Sequence, residues 1–384
     1  MGRHRLCFGL RLALEAVFLT LTLSGFAGFV SPHSAQLRGR RHMEVARHAG
    51  PDGDDKTVLI LGGGIIGVSI SYHLAQRGVK STIVDRAGIA SCASGKAGGF
   101  LARNWNAGTP TDELSQKSFD MHEETAKELS LSSYRRLKCQ SVAVDGTGAK
   151  PAGAKLKNLE LCDAMWSYSE QHGSNFVKGT VENLCYEDGD SERHIRGVVV
   201  DGQKMASDVV ILSMGPWGEV LQQAVPACSM LGVKYHSVLM RSGRVLNEAV
   251  FFSGLGDPEV YPRNDGNHYV TGFPDPPQVV KEIPGEVEVR EEMCSRLIKT
   301  MQQVSSEMAE AEVTTKQSCY LPFTRDSVPC MGKVPKHENV FVATGHGCWG
   351  ILLSLASGKA MSELILDGEA TSVSLEPFDP KRFG

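Results

Sequence analysis

Gly62, Gly64 and Gly67 are spaced for phosphate chemistry. They follow the apolar, β-branched run 56–61, long enough for a buried parallel strand. They precede residues 68–78, which read as a helix closed by a C-terminal glycine. Gly62 suits the tight turn, Gly64 lets backbone approach a pyrophosphate, and Gly67 lets helix and strand pack closely. Ile65 and Ile66 sit where the helix begins, with unpaired N–H groups and a positive dipole end for phosphate. A second strand, 81–84, ends in Asp85, 23 residues after Gly62, placed to accept a ribose hydroxyl. The order of strand, glycines, helix, strand and acid points to a dinucleotide. The acid disfavours a 2′-phosphate. The competing reading is a glycine-rich turn in another α/β fold.

Two further segments suit a large flat cofactor. The loop 88–100, with Ser94, Gly95, Lys96, Gly98 and Gly99, is built of small residues that let backbone N–H groups face a ligand. Near the C-terminus a strand, 339–344, runs into Gly345-His346-Gly347-Cys348-Trp349-Gly350-Ile351 and a helix ending at Asp367-Gly368. A positive helix end there would stabilise charge on a reduced flavin ring. Residues 175–182 and 195–200 read as meander strands carrying Val181, and 208–214 as a buried strand leading to Gly215 and Trp217. Three side chains are candidate catalytic groups. Lys96 offers a fixed positive charge beside the ring or is a solvated loop lysine. His346 offers charge or a hydrogen bond, or is structural. Arg263 offers bidentate binding of a carboxylate, or pairs with Asp265 or Glu259 across a hairpin. Trp217 and Trp349 line turns or simply pack.

The elements that position these residues need a folded chain of ordinary composition. Charged residues are 22% and hydrophobic residues 41% of 384, which excludes a disordered or multi-pass membrane chain. Residues 1–50 hold seven Arg and two Glu, a net of +5, leaving the remainder at −9. Such an acidic body is a poor nucleic-acid binder. The apolar stretch 16–30 is too short to span a bilayer, and the Arg-rich 31–50 follows it. Together they predict a removable targeting leader, residues 1–53, of bipartite plastid type in preference to mitochondrial, secreted or membrane-anchored types. After its removal no membrane attachment is expected. Ten scattered Cys lack CxxC or zinc spacing, so no metal site is predicted and a reducing compartment fits.

The segments VLILGGGIIG, ASCASGKAGGFLA, VVILSMGPWG, EVYPRNDGNHYVTG, CYLPFTRDSVPCMGKVP and NVFVATGHGCWG occur in this order. As a set they resemble FAD-dependent oxidoreductases of the D-amino-acid oxidase, glycine oxidase and sarcosine oxidase family. The YPRxDG and CYLP elements are most similar to a fungal, plant and algal subgroup. The resemblance implies an α/β fold: a Rossmann-type, glutathione-reductase-like FAD domain from 54–104, 171–218 and 319–370. The substrate domain it implies is β-rich α+β, from 105–170 and 219–318, including a helical stretch 286–312. It also implies oxidation of the C–N bond of a small amine or amino acid by hydride transfer to flavin N5, with O₂ as reoxidant giving H₂O₂. Cys319 falls where sarcosine-oxidase relatives attach flavin through a thioether; its surroundings favour a plain thiol and non-covalent FAD. Two features depart from the family. Leu321-Pro322 stands where many relatives have Arg-Pro. A polar loop at 145–157 replaces a longer stretch, which leaves room for fewer wall strands. A dehydrogenase serving a quinone or protein acceptor is one alternative, and the departures suggest another, a non-catalytic FAD-bound partner or sensor.

Overall fold

The computed structural model describes residues 47–49, 55–143, 149–155, 158–186, 194–226, 228–244 and 246–384. Strands β1 (Arg47–Ala49) and β2 (Asp55–Leu61), helix α1 (Ile65–Gln76) and strand β3 (Thr82–Asp85) open the fold. Helix α2 (Ala93–Lys96), strand β4 (Phe100–Leu101), helix α3 (Asp112–Glu128), strands β5 (Arg135–Ala143) and β6 (Ala149–Lys155), and helix α4 (Asn158–Gln171) follow. Next come β7 (Asn175–Lys178), β8 (Val181–Tyr186), β9 (Ile195–Val200), β10 (Gln203–Ala206), β11 (Val209–Leu212) and helix α5 (Glu219–Ala224). Strands β12 (Leu231–Arg241), β13 (Glu248–Ser253), β14 (Glu259–Pro262) and β15 (Asn267–Gly272) lead to helices α6 (Glu291–Val304) and α7 (Ser306–Ala309). Strands β16 (Glu312–Phe323), β17 (Cys330–Lys333) and β18 (Val340–Thr344), with helix α8 (Gly350–Asp367), complete the main elements.

One sheet has the order β17-β18-β11-β2-β3-β7, with β1 paired to β2. Strands β18, β11, β2, β3 and β7 run parallel; β17 and β1 are antiparallel to their neighbours. The period-two geometry of a strand explains why β2 is apolar throughout. Ile60 packs toward Ile70, Tyr72, Leu352 and Leu355 on the helical side, while Leu59 and Leu61 pack toward Val198, Val200 and Met205 of the meander. Each such fully buried aliphatic side chain contributes about 1.5–3 kcal/mol before the entropy of ordering is counted.

The second sheet has the order β16-β12-β15-β14-β13-β5-β6-β4, antiparallel except for β13 beside β5. Val238, Val260 and Val270 meet Leu297 and Met301 of α6, while the alternate residues Tyr261 and Tyr269 join Phe100 and Phe251 on the other face.

Several expectations change. The segment 145–157 is not one loop. Residues 149–155 form β6, pairing with β5 and β4, because an open β5 edge can recruit backbone whatever its side chains. The rest of that segment and nearly all of the predicted leader lie outside the described residues. Arg47–Ala49, assigned to the leader, pairs with Asp55–Thr57 in the sheet. Asn175–Lys178 joins the parallel sheet beside β3 instead of the meander. The helical stretch 286–312 begins only at Glu291 and breaks at Ser305, whose hydroxyl accepts from the Met308 N–H. Helices α3 and α4, assigned to the substrate domain, place Leu114, Phe119, Leu161 and Met165 in the core shared by Ile60 and Leu352. Phe100–Leu101 and residues 319–323, assigned to the FAD domain, are strands of the second sheet.

Candidate active site

The two glycine-rich junctions open onto one cleft between the sheets, with about 1640 Å³ of free space including its mouth. At the first junction Gly62 has φ +113°, a conformation that favours glycine. A Cβ on Gly67 would overlap the Gly62 carbonyl oxygen, so any larger residue would push α1 off β2. Gly62, Gly64, Ile65 and Ile66 line the cleft. The Gly64 N-cap has no side-chain hydrogen bond, and the Ile65 N–H donates to Ser94 Oγ at 2.8 Å. Asp85 lies farther along. Its Oδ2 accepts from Gly63 N–H at 2.8 Å, and its Oδ1 from Ala87 and Gly88 N–H at 2.7 and 2.9 Å. Three donors fix this carboxylate at the cleft wall, with acceptor capacity left for a hydroxyl.

Other candidates come from separate elements. Ser94 and Val181 line the cleft, as do Gly215 and Trp217 from the turn after β11. Gly345, His346, Gly347, Gly350 and Ile351 close the far end. His346 is 3% exposed, with Nε2 3.1 Å from Ser357 Oγ and Nδ1 buried without a partner. Burial lowers its pKa to about 3, so the ring is neutral. It offers a hydrogen bond, and the positive charge considered for it is not available.

Gly67, Gly95, Lys96, Gly98 and Gly99, expected to contact the cofactor, are not among the residues lining the cleft. Gly98 packs on the Tyr261 ring. Lys96 Nζ donates to the Ser318 carbonyl at 3.2 Å, and Gln317 Nε2 donates to the Lys96 carbonyl at 2.9 Å, so Lys96 is anchored to β16. Arg263 is outside the cleft lining. Its guanidinium lies 5.7 Å from the Tyr269 ring centroid, and burial lowers its pKa. Leu321 and Pro322 do line the cleft, so the departure from Arg-Pro lies within the site.

Sequence reasoning missed a strap that lines the cleft. Val280–Pro284 lines the cleft, and its Glu282 is held from three sides. Lys234 Nζ donates to it at 3.1 Å, the Tyr320 hydroxyl donates to its carboxylate, and Trp217 Nε1 donates to its carbonyl at 2.7 Å. Partial burial pushes the Glu282 pKa up, but Tyr320, the Glu288 N–H and Lys234 outweigh it and the net shift is down. The available signal was Lys234, a lysine within the apolar run that became β12. Cys92, also lining the cleft, stood unmarked inside the small-residue loop.

These residues fit FAD: a glycine cradle at a helix start, a fixed carboxylate 23 residues on, and an unpartnered buried His346 Nδ1 at a second helix start. The family of FAD dependent oxidoreductases (DAO) matches residues 57–153 and 137–364. An oxidoreductase of Schizosaccharomyces pombe is 27% identical over 386 residues, covering 85% of this chain and 98% of that protein. A glycine oxidase of Bacillus licheniformis is 24% identical over 367 residues, covering 84% and 96%. The crystal structure of glycine oxidase from Geobacillus kaustophilus superposes with a TM-score of 0.72 at 21% identity, covering 85% and 98%, and shows the same fold. The motifs, the cleft and the match along most of its length make this chain a member of the DAO family of FAD-dependent oxidoreductases.

Proposed function

We propose that the chain oxidises the C–N bond of a small amine or amino acid, with O₂ as reoxidant and H₂O₂ as product. The observation that supports this best is the convergence of two glycine-rich helix starts and Asp85 on one cleft. When bound, FAD supplies the hydride acceptor. The chain's own residues bind and orient it. The N–H groups of Gly64 and Ile66 would hold the pyrophosphate, the Ile65 N–H being taken by Ser94, and Asp85 would accept from a ribose hydroxyl. The start of α8 presents positive potential to the ring, and neutral His346 presents Nδ1 for a hydrogen bond. A neutral amine needs little proton transfer, so positioning dominates. The Lys96 ammonium, tied to Ser318, is the fixed positive charge proposed to favour reduction of O₂. Cys319 is 7% exposed and its thiol is pushed up by its hydrogen bond to Cys92 and by burial, which supports non-covalent FAD.

Leu321 in the cleft favours a second reading, a dehydrogenase, because it removes a cation at the site. The test is anaerobic addition of amino acids and N-methyl amino acids to the flavin-loaded protein. Bleaching of the flavin by one member, followed by fast recovery in air, is expected. Slow recovery would favour the dehydrogenase, and no bleaching across the panel would contradict amine oxidation. We further propose plastid targeting by residues 1–53. Fusion of that segment to a fluorescent protein tests it, and a mitochondrial or cytosolic signal would contradict it.

A further inference from the structure

Among the described residues two cysteine pairs meet, Cys92 with Cys319 and Cys228 with Cys330. Each pair shares a thiol–thiol hydrogen bond, and all four are free thiols. They differ in access. Cys228 and Cys330 are both 0% exposed, whereas Cys92 is partly exposed in the cleft lining, with Cys319 behind it on β16.

The backbone holds the accessible pair in register. Cys92 is the N-cap of α2, and α2 is tied to β16 at Gln317 and Ser318, directly before Cys319. Ser91 Oγ donates to Cys92 Sγ at 3.8 Å, and the Gly285 N–H donates to it from the strap. The charged groups facing the pair are Lys96, which favours a thiolate at Cys319, and Asp85, which opposes charge on Cys92. The hydrogen bond from Cys319 outweighs burial and Asp85 and brings the Cys92 thiol down to about 7. These contacts favour the thiolate at Cys92, the form that reacts.

We propose that Cys92 and Cys319 form a reversible dithiol–disulfide site in the cleft wall, oxidised by a small hydroperoxide such as hydrogen peroxide. The Cys92 thiolate attacks one peroxide oxygen. An S–O bond forms, the O–O bond breaks, and the departing hydroxide takes up the proton given up by Cys92 to become water. The Cys319 sulfur then attacks the Cys92 sulfenic acid. The S–S bond forms, the S–O bond breaks, and a second water leaves with the Cys319 proton. Two thiols lose two electrons, and hydrogen peroxide becomes two waters. The bond joins the α2 loop to β16 across one wall of the cleft. This site does not depend on amine oxidation, because added peroxide supplies the oxidant.

The test treats the purified full chain with dilute hydrogen peroxide, blocks remaining thiols, and maps peptides without reductant. One Cys92–Cys319 cross-link that dithiothreitol reverses is expected, with Cys228 and Cys330 still thiols. The initial rate should rise with pH as Cys92 loses its proton and then level off. Cys319→Ser should leave Cys92 as a sulfenic acid that dimedone traps, while Cys92→Ser should leave Cys319 unreacted. Oxidation confined to Cys348, a link from Cys92 to another cysteine, or a Cys228–Cys330 link without Cys92–Cys319 would overturn the proposal. The wild-type peptide map decides even if a variant folds poorly.

Discussion

The parallel sheet and the antiparallel sheet meet at one cleft but contribute to it differently. From the parallel sheet come mainly backbone surfaces, the Gly62–Ile66 turn and the Gly345–Ile351 junction, with one side chain, the Asp85 carboxylate, fixed by three N–H groups. From the antiparallel half come the Leu321 side chain and the strap around Glu282, backed by a sheet in which Phe100 stacks on Tyr261 at 5.3 Å. The first set depends on close approach of main chain, and an added Cβ would clash at Gly62, Gly67, Gly345 and Gly347. The second is held by packing and polar contacts that can be trimmed one at a time. Damage should therefore be most severe at the clashing glycines of the parallel half and milder in the antiparallel half.

Gly67→Leu tests that contrast most severely. Its side chain would fall on the Gly62 carbonyl, and the purified protein should carry no flavin, read by visible absorbance after desalting. A yellow Gly67→Leu protein would break the comparison. Acid should also act mainly on the parallel half. His73, His122 and His346 are buried neutral, with pKa values lowered by burial to about 4, 4 and 3. Each binds a proton more weakly folded than unfolded, so each costs stability as pH falls below about 6.5, until the folded pKa is reached. At pH 5 the cost is about 2 kcal/mol per histidine. Melting temperature against pH should fall steeply from pH 6 to 4, and His122→Gln should flatten that fall.

Asp85→Ala should weaken FAD binding by on the order of 10²-fold, since a charge-assisted hydrogen bond is lost and three N–H groups lose their acceptor. Fluorescence titration with FAD measures it. In the antiparallel half, Lys234→Met leaves Glu282 without its buried cation. It should lower the melting temperature by a few degrees, at a cost of about 1–3 kcal/mol, with flavin retained. Arg263→Met should have the smallest effect on activity, with KM within about threefold of wild type, because the guanidinium stacks on Tyr269 outside the cleft lining. A large rise in KM would return Arg263 to the substrate site.

The same contrast explains what the sequence disclosed. Residues 56–85 are contiguous, and each glycine in them has a local steric reason, so strand, turn, helix and acid could be read in order. The second junction at 345–350 was legible for the same reason. The antiparallel sheet depends on pairings between distant segments, such as Cys319 opposite Tyr235, which no local pattern specifies. Strand β6 has no alternating apolar pattern and forms by pairing to an edge. Helix α3 reads as an amphipathic helix anywhere, and only the fold shows Phe119 in the nucleotide core. The hydrogen bond between Cys92 and Cys319, and the neutral state of His346, are products of packing and burial.

The most direct measurement is a structure of the protein with FAD bound. Expected are the pyrophosphate at the N–H groups of Gly64 and Ile66, a ribose hydroxyl on Asp85, and the isoalloxazine ring between Gly345–Ile351 and Leu321. A flavin bound elsewhere, or one whose ribose lies away from Asp85, would contradict it.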